Sequence, residues 1–255
     1  MDAHALTAVA PLTFAAALVL AAVYALGRRL RAVEVPHRRR WVSAASGVSV
    51  AYVFVDLLPE LAARQQAFVK AAGVDLLFAE QRIYVVALAG FVVLYGLEHM
   101  VLASRGRRPA SAEGEPGDPV YRLHVAGFAV YSALIGDLLV ERAASGRLAL
   151  FLYSLAMALH FLVVDHSLRH EHGATYDRRG RWVLAASVLA GWLVGMAVRV
   201  PEALLARVFA FVAGGVVITS ATAELPGERQ GRFAPFALGA AVYAILLLVG
   251  AGGDR

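Results

Sequence analysis

The sequence predicts an all-α integral membrane protein that crosses the bilayer eight times. Two observations carry this. The 255 residues are 60% hydrophobic and only 17% charged, with mean hydropathy +0.65, more apolar than a soluble core of this length requires. The charges also gather between long apolar stretches, as they must if each stretch lies in hydrocarbon, where an unpaired charge costs several kcal/mol.

A hydrocarbon core about 30 Å thick takes roughly 20 helical residues. On that ruler spans fall at about 7–26, 41–62, 82–103, 121–141, 148–168, 182–200, 202–224 and 233–250, the sixth and seventh joined tightly around Val200 and Pro201. Met1 to Thr7 carries Asp2 and His4 and lacks the basic leader of a secretory signal, so the first stretch reads as an uncleaved span. Residues 104–119, with Pro, Gly and mixed charge but no apolar periodicity, read as a flexible cytoplasmic linker within a single transmembrane domain spanning 1–255.

Alternate connections hold sixteen of the Lys and Arg residues, including Arg28, Arg29, Arg38, Arg39, Arg40, Arg107, Arg108, Arg178 and Arg229, against eight on the other side. That bias puts the arginine-rich connections in the cytoplasm and both termini outside the cytoplasm of a multi-pass cell-membrane protein. The net charge of +5 does not point to nucleic acid, because the arginines lie in short clusters beside apolar spans. The lipid bilayer is the expected neighbour. With no cysteine, disulfides and thiolate ligands are excluded, and any metal site must use His, carboxylates and water.

An internal echo appears in two spans: Asp56-Leu57-Leu58-Pro59-Glu60 ends the second and Glu224-Leu225-Pro226-Gly227-Glu228 ends the seventh. A three-span repeat would relate them, in opposite orientation. Proline ending two helices beside acidic residues explains the echo equally well.

Eight spans, both ends outside, a long cytoplasmic loop after the third and Leu57-Leu58-Pro59-Glu60 together resemble the ZIP family of divalent-metal transporters. The resemblance implies a 3+2+3 helix arrangement with an inverted repeat. It also implies a metal site between the fourth and fifth helices, supplied by motifs close to His-Asn-x-Pro-Glu-Gly and His-x-x-Pro-Glu-Gly. Position by position, Tyr131, Ser132 and Ile135 stand for the His, Asn and Glu of the first motif. His160 matches the start of the second, with Val163, Val164 and Asp165 at its Pro, Glu and Gly.

The residues themselves give an ordered list of polar groups. His160 follows Leu148 by 12 positions, about 18 Å along a helix and so near mid-membrane. Such a His is either a metal ligand, a proton acceptor, or a partner in one interhelical hydrogen bond, to Tyr131 or Ser132. Asp56 with Glu60, and Asp137 with Glu141, are i, i+4 pairs toward the outer end, where they form an acidic mouth or are solvated; Asp137 could instead pair with Arg142. Asp165 and His166, together with Glu98 and Glu224, lie toward the inner end. His166 and His170 share a helix face, Asp165 and Arg169 form an alternative ion pair, and His170 and His172 read as a solvated helix end.

The candidate metal residues are therefore His160, Asp137, Asp165, His166, Asp56, Glu98 and Glu224. Carboxylates with few imidazoles and no sulfur suit Zn, Mn, Fe or protons and do not choose among them. With the resemblance, the expectation is transport of such a cation as substrate, with no resident cofactor and no enzymatic activity. A non-transporting ZIP-fold sensor or scaffold is the alternative, and an intramembrane zinc hydrolase built on His166 and His170 is a more distant one. Monomer and homodimer both remain open.

Overall fold

The computed structural model describes residues 3–32, 38–63, 81–105, 118–198, 200–224 and 232–252. All regular structure among them is helical. The helices are α1 (Ala3–Ala32), α2 (Arg38–Tyr52, continuing through a π turn, Val53–Leu57, to residue 63) and α3 (Arg82–Arg105). They continue as α4 (Pro119–Ala144), α5 (Arg147–Thr175), α6 (Arg181–Ala197), α7 (Glu202–Glu224) and α8 (Phe233–Gly252).

Seven helical stretches among the described residues are long and apolar enough to cross a bilayer, so the protein is a helical membrane protein. Six of the spans expected from sequence coincide with these stretches within three residues at either end. The fifth and sixth fall in one continuous stretch, Arg147–Ala197, of 51 residues. A straight helix of that length would measure about 76 Å, far more than a bilayer core of about 30 Å. It is not straight: Gly173, at φ 50° and ψ −127°, leaves the helical region, and a π turn at Tyr176–Gly180 leads into α6. A side chain at 173 would be strained in that conformation. The expected linker lies mainly at 106–117, outside the described residues.

Local chemistry explains several boundaries. Asp118 caps α4 by accepting from the Val120 amide, with Pro119 in the first turn, where a missing N–H costs nothing. Pro59 cannot donate to the Val55 carbonyl and its ring crowds that group. The preceding turn widens accordingly, so that the Leu58 amide donates to Val53 O, and this π turn carries Asp56.

The helices divide by contact into two sets. In the first, α1 packs on α4, α5 and α6, and α4 packs on α5 and α6. In the second, α2 packs on α7 and α8, and α3 packs on α7. Contacts of α2 with α5, α4 with α3 and α7, and α5 with α7 join them. Glycines set the closest crossings. A Cβ on Gly47 of α2 would lie 2.1 Å from Phe236 O of α8, and one on Gly239 of α8 would lie 2.3 Å from Ala44 O. Gly90 and Gly214 are reciprocal in the same way between α3 and α7, as are Gly136 and Gly191 between α4 and α6. Small residues bring backbones close enough for dispersion to hold helices together where lipid removes the hydrophobic drive.

The outer faces of α3 and α8 carry exposed Val85, Leu88 and Val92, and Leu238, Val242 and Ile245, as lipid-facing helices do. α4 and α7 are the most enclosed. Every polar group of the core must be satisfied internally. Tyr153 donates to Ile135 O at 2.8 Å, Tyr243 to Leu152 O at 2.6 Å, and the Tyr24 and Ser132 hydroxyls lie 3.1 Å apart.

Candidate metal centre

Among the described residues, the structure brings one group of three metal-ligating side chains together: His124 of α4 with Glu171 and His172 of α5. All three are buried, and one ligand atom from each lies within 4.8 Å of the others. His124 Nδ1 is 2.8 Å from His172 Nε2 and 3.5 Å from Glu171 Oε2. His124 sits in the second turn of α4. Glu171 and His172 immediately precede Gly173, so the break in helical geometry fixes where they stand.

The 2.8 Å contact between two imidazoles is a hydrogen bond, in which one nitrogen carries the proton and the other accepts. Ligand nitrogens about 2.0–2.1 Å from Zn at tetrahedral angles stand roughly 3.4 Å apart. An ion would therefore replace the shared proton and part the rings by a few tenths of an ångström. Between two neutral imidazoles that proton would pass to the far nitrogen of the ring that carries it, so that both facing lone pairs turn to the ion.

Glu98 adds a second carboxylate. Ser167 Oγ lies 3.5 Å from both Glu98 Oε1 and Glu171 Oε1, and all three side chains are buried. Two carboxylates this close repel one another in a low dielectric, and a divalent cation among two imidazoles and Glu171 would offset that repulsion. Tyr121 and Phe128 close over the rings, edge-on to His172 and His124 with centroids 5.0 and 5.1 Å away. Such a dry shell strengthens metal–ligand attraction.

Glu98 thus stands beside the cluster, while the other residues expected from sequence are distributed elsewhere. His160 is fully buried, and its Nε2 lies 3.1 Å from Tyr131 Oη, which donates to Val212 O at 3.3 Å. With that hydroxyl proton committed, His160 Nε2 carries the proton, and the Nδ1 lone pair has no hydrogen-bond partner among the described residues. The hydrogen-bond reading of His160 therefore describes the structure. Asp137 is buried against Gly195, its Oδ1 without a hydrogen-bond partner among the described residues; it does not bond to Arg142.

Arg142 instead holds Asp56 and Glu60. Its guanidinium is 3.1 Å from Asp56 Oδ2 and bonds Glu60, with the Tyr52, Tyr153 and Phe209 rings 4.9–5.9 Å away. Toward the inner end Asp165 accepts two bonds of 2.7 Å from Arg169 and one of 2.9 Å from Tyr176, while Arg169 also bonds Asp177. Gly27 of α1 makes room for this pair, since a Cβ there would meet Asp165 Oδ2 at 2.5 Å. Asp56 and Asp165 thus serve as counter-ions to buried arginines. His166 is half-buried, His170 is exposed, and the Glu224 side chain lies outside the described residues.

No protein-family model, curated protein or solved structure matches the chain.

Sequence reasoning missed His124 and set His172 aside as a solvated helix end, whereas His172 is buried. The signal was present in the spacing. His124 precedes Tyr131 by seven residues and Glu171 follows His160 by eleven, intervals that return to nearly the same helix face. The Tyr131–His160 contact between α4 and α5 therefore implies a second meeting nearer the start of α4 and the end of α5.

Proposed function

We propose that this protein is a ZIP-like carrier of divalent transition-metal cations. It has eight transmembrane helices, counting α5 and α6 separately across Gly173, in a 3+2+3 arrangement with both ends outside the cytoplasm. The buried His124, Glu171 and His172 between the fourth and fifth helices carry this reading. They meet the requirement that a cysteine-free chain bind such a metal through imidazole and carboxylate.

Pseudosymmetry supports it. Exchanging α1 with α6, α2 with α7, α3 with α8 and α4 with α5 turns the α2–α8 contact into α3–α7, α1–α5 into α4–α6, and α2–α5 into α4–α7, all present. The α1–α4, α3–α4 and α5–α7 contacts have no counterpart of comparable extent. The same exchange relates the glycine crossing at Gly47 and Gly239 to that at Gly214 and Gly90. Gly47 precedes Pro59 by twelve residues, as Gly214 precedes Pro226, which extends the acidic, proline-terminated echo. This is the inverted-repeat plan of many secondary transporters.

Two polar ties join the helix sets at opposite ends. Arg142 of α4 holds Asp56 and Glu60 of α2, and Ser167 of α5 approaches Glu98 of α3. Alternating access follows if one tie opens while the other closes, with the cation at the inner cluster drawing Glu171 away from Ser167.

A non-transporting metal sensor of the same fold is the second reading. It is favoured by the packing beside His160, where Tyr131, Phe128 and Phe161 are fully or almost fully buried, and by the Arg142 pairs, which occupy the outer carboxylates. Purified protein in liposomes loaded with a metal-sensitive dye separates the readings. Entry of Zn, Mn or Fe(II) that is lost in His124→Ala and Glu171→Gln supports transport. Stoichiometric Zn binding without entry supports the sensor, and absence of both removes both.

A further inference from the structure

A groove of about 860 Å³ opens between the first turns of α2 and α8, lined by Arg40, Trp41, Ala44, Arg232, Phe233 and Leu238, among others. It is distant in sequence from every residue of the metal cluster and plays no part in the transport reading. We infer that this groove binds the phosphate headgroup and upper acyl chain of an anionic phospholipid of the cytoplasmic leaflet.

Charge is the first argument. Arg40 and Arg232 flank the groove, and neither guanidinium makes an ion pair among the described residues. The two helices also begin here, so their N-terminal amides and dipoles add positive potential beside the arginines. The Arg232 amide donates to Ser43 Oγ at 3.0 Å, which ties the start of α8 to α2 and holds both cationic walls in register. Gly47 and Gly239 keep the helices close just beyond the groove, so it narrows toward the bilayer interior.

Shape and polarity are the second. Beyond the arginines the walls are apolar, and Trp41, Phe233 and Leu238 are 66%, 83% and 66% exposed. A soluble anion would gain nothing from three exposed apolar side chains, whereas a lipid covers them with its chain while its phosphate meets the guanidiniums. Tryptophan and arginine at one depth mark the headgroup level of a bilayer. The arginine excess of this side assigns it to the cytoplasmic leaflet, where anionic lipids concentrate. A groove of this volume is also large enough for a ligand of lipid-headgroup size.

Native mass spectrometry of delipidated protein, titrated with phosphatidylglycerol or phosphatidylcholine of matched chains, tests the assignment. Two juxtamembrane arginines should favour the anionic lipid by roughly thirty-fold. Arg40→Gln with Arg232→Gln should bring the two lipids to parity, while Arg147→Gln with Arg207→Gln, on the opposite side, should leave the preference intact. Leu238→Trp, which fills the groove and keeps both arginines, should also abolish the preference, and it guards against misfolding of the charge variant. Equal binding of both lipids by the wild-type protein, or a preference retained in Leu238→Trp, overturns the proposal. Displacement of the lipid by inorganic phosphate at equal concentration overturns it in favour of a soluble-anion site.

Discussion

Arg142→Met removes the buried cation that lies between Asp56 and Glu60. The guanidinium is 4% exposed and bonds both carboxylates, which are 34% and 27% exposed at the side chain. Removing one partner of a fully buried pair costs about 3–5 kcal/mol, because the other charge is left without compensation. Here water reaches both acids, so the cost falls to about 2–3 kcal/mol after screening. For a chain of this size that corresponds to a fall of roughly 5–10 °C in melting temperature. The cost arises from stranded negative charge, so adding Asp56→Asn and Glu60→Gln should restore most of it. Thermal unfolding in one detergent, followed by tryptophan fluorescence, compares wild type, single and triple variants. A single variant that melts with wild type, or a triple variant that melts below the single, refutes the claim that Arg142 neutralises these acids.

Glu171→Gln should lower Zn affinity at least tenfold by calorimetry, since losing a ligand weakens a site more than losing the group that orients one, which itself costs about 10–100-fold. Zn affinity of the wild type should fall as the pH is lowered, because His124 and His172 must shed protons to coordinate; pH-independent binding would exclude them as ligands. Tyr131→Phe should cost about 1–2 kcal/mol in denaturant titration by removing the hydroxyl between His160 and Val212, with Zn affinity unchanged because the inner cluster lies elsewhere. Gly191→Val should destabilise by about 1–3 kcal/mol or more, since its Cβ would stand 1.8 Å from Ala133 O and force α4 from α6. Co-purification of wild-type packing in that variant, seen as an unchanged melting temperature, would contradict the crossing.

The membrane class and most span boundaries were legible because they depend on a one-dimensional quantity, the run of apolar residues between charges. The proposed repeat draws on both levels: the sequence offers the echo at Pro59 and Pro226, and the structure adds the reciprocal glycine contacts of Gly47 and Gly214. The break between the fifth and sixth spans was not legible as a conformation. Gly173 is one of 23 glycines, and its positive φ, shared among the described residues with Gly146, has no signature in the sequence.

By itself the sequence determined that the chain is built of apolar stretches fit for a bilayer and that any metal site must use imidazole, carboxylate and water. Only the tertiary structure decided which polar groups meet. Asp56 and Asp165 looked like ligands until Arg142 and Arg169 were found beside them, while His172 looked like a solvated helix end until it was found facing His124, which the sequence had not singled out. Hydropathy sums over neighbours in sequence, whereas ligation and charge pairing depend on distances of a few ångströms between residues as far apart as Arg142 and Asp56, 86 positions. Those distances exist only once the helices have packed.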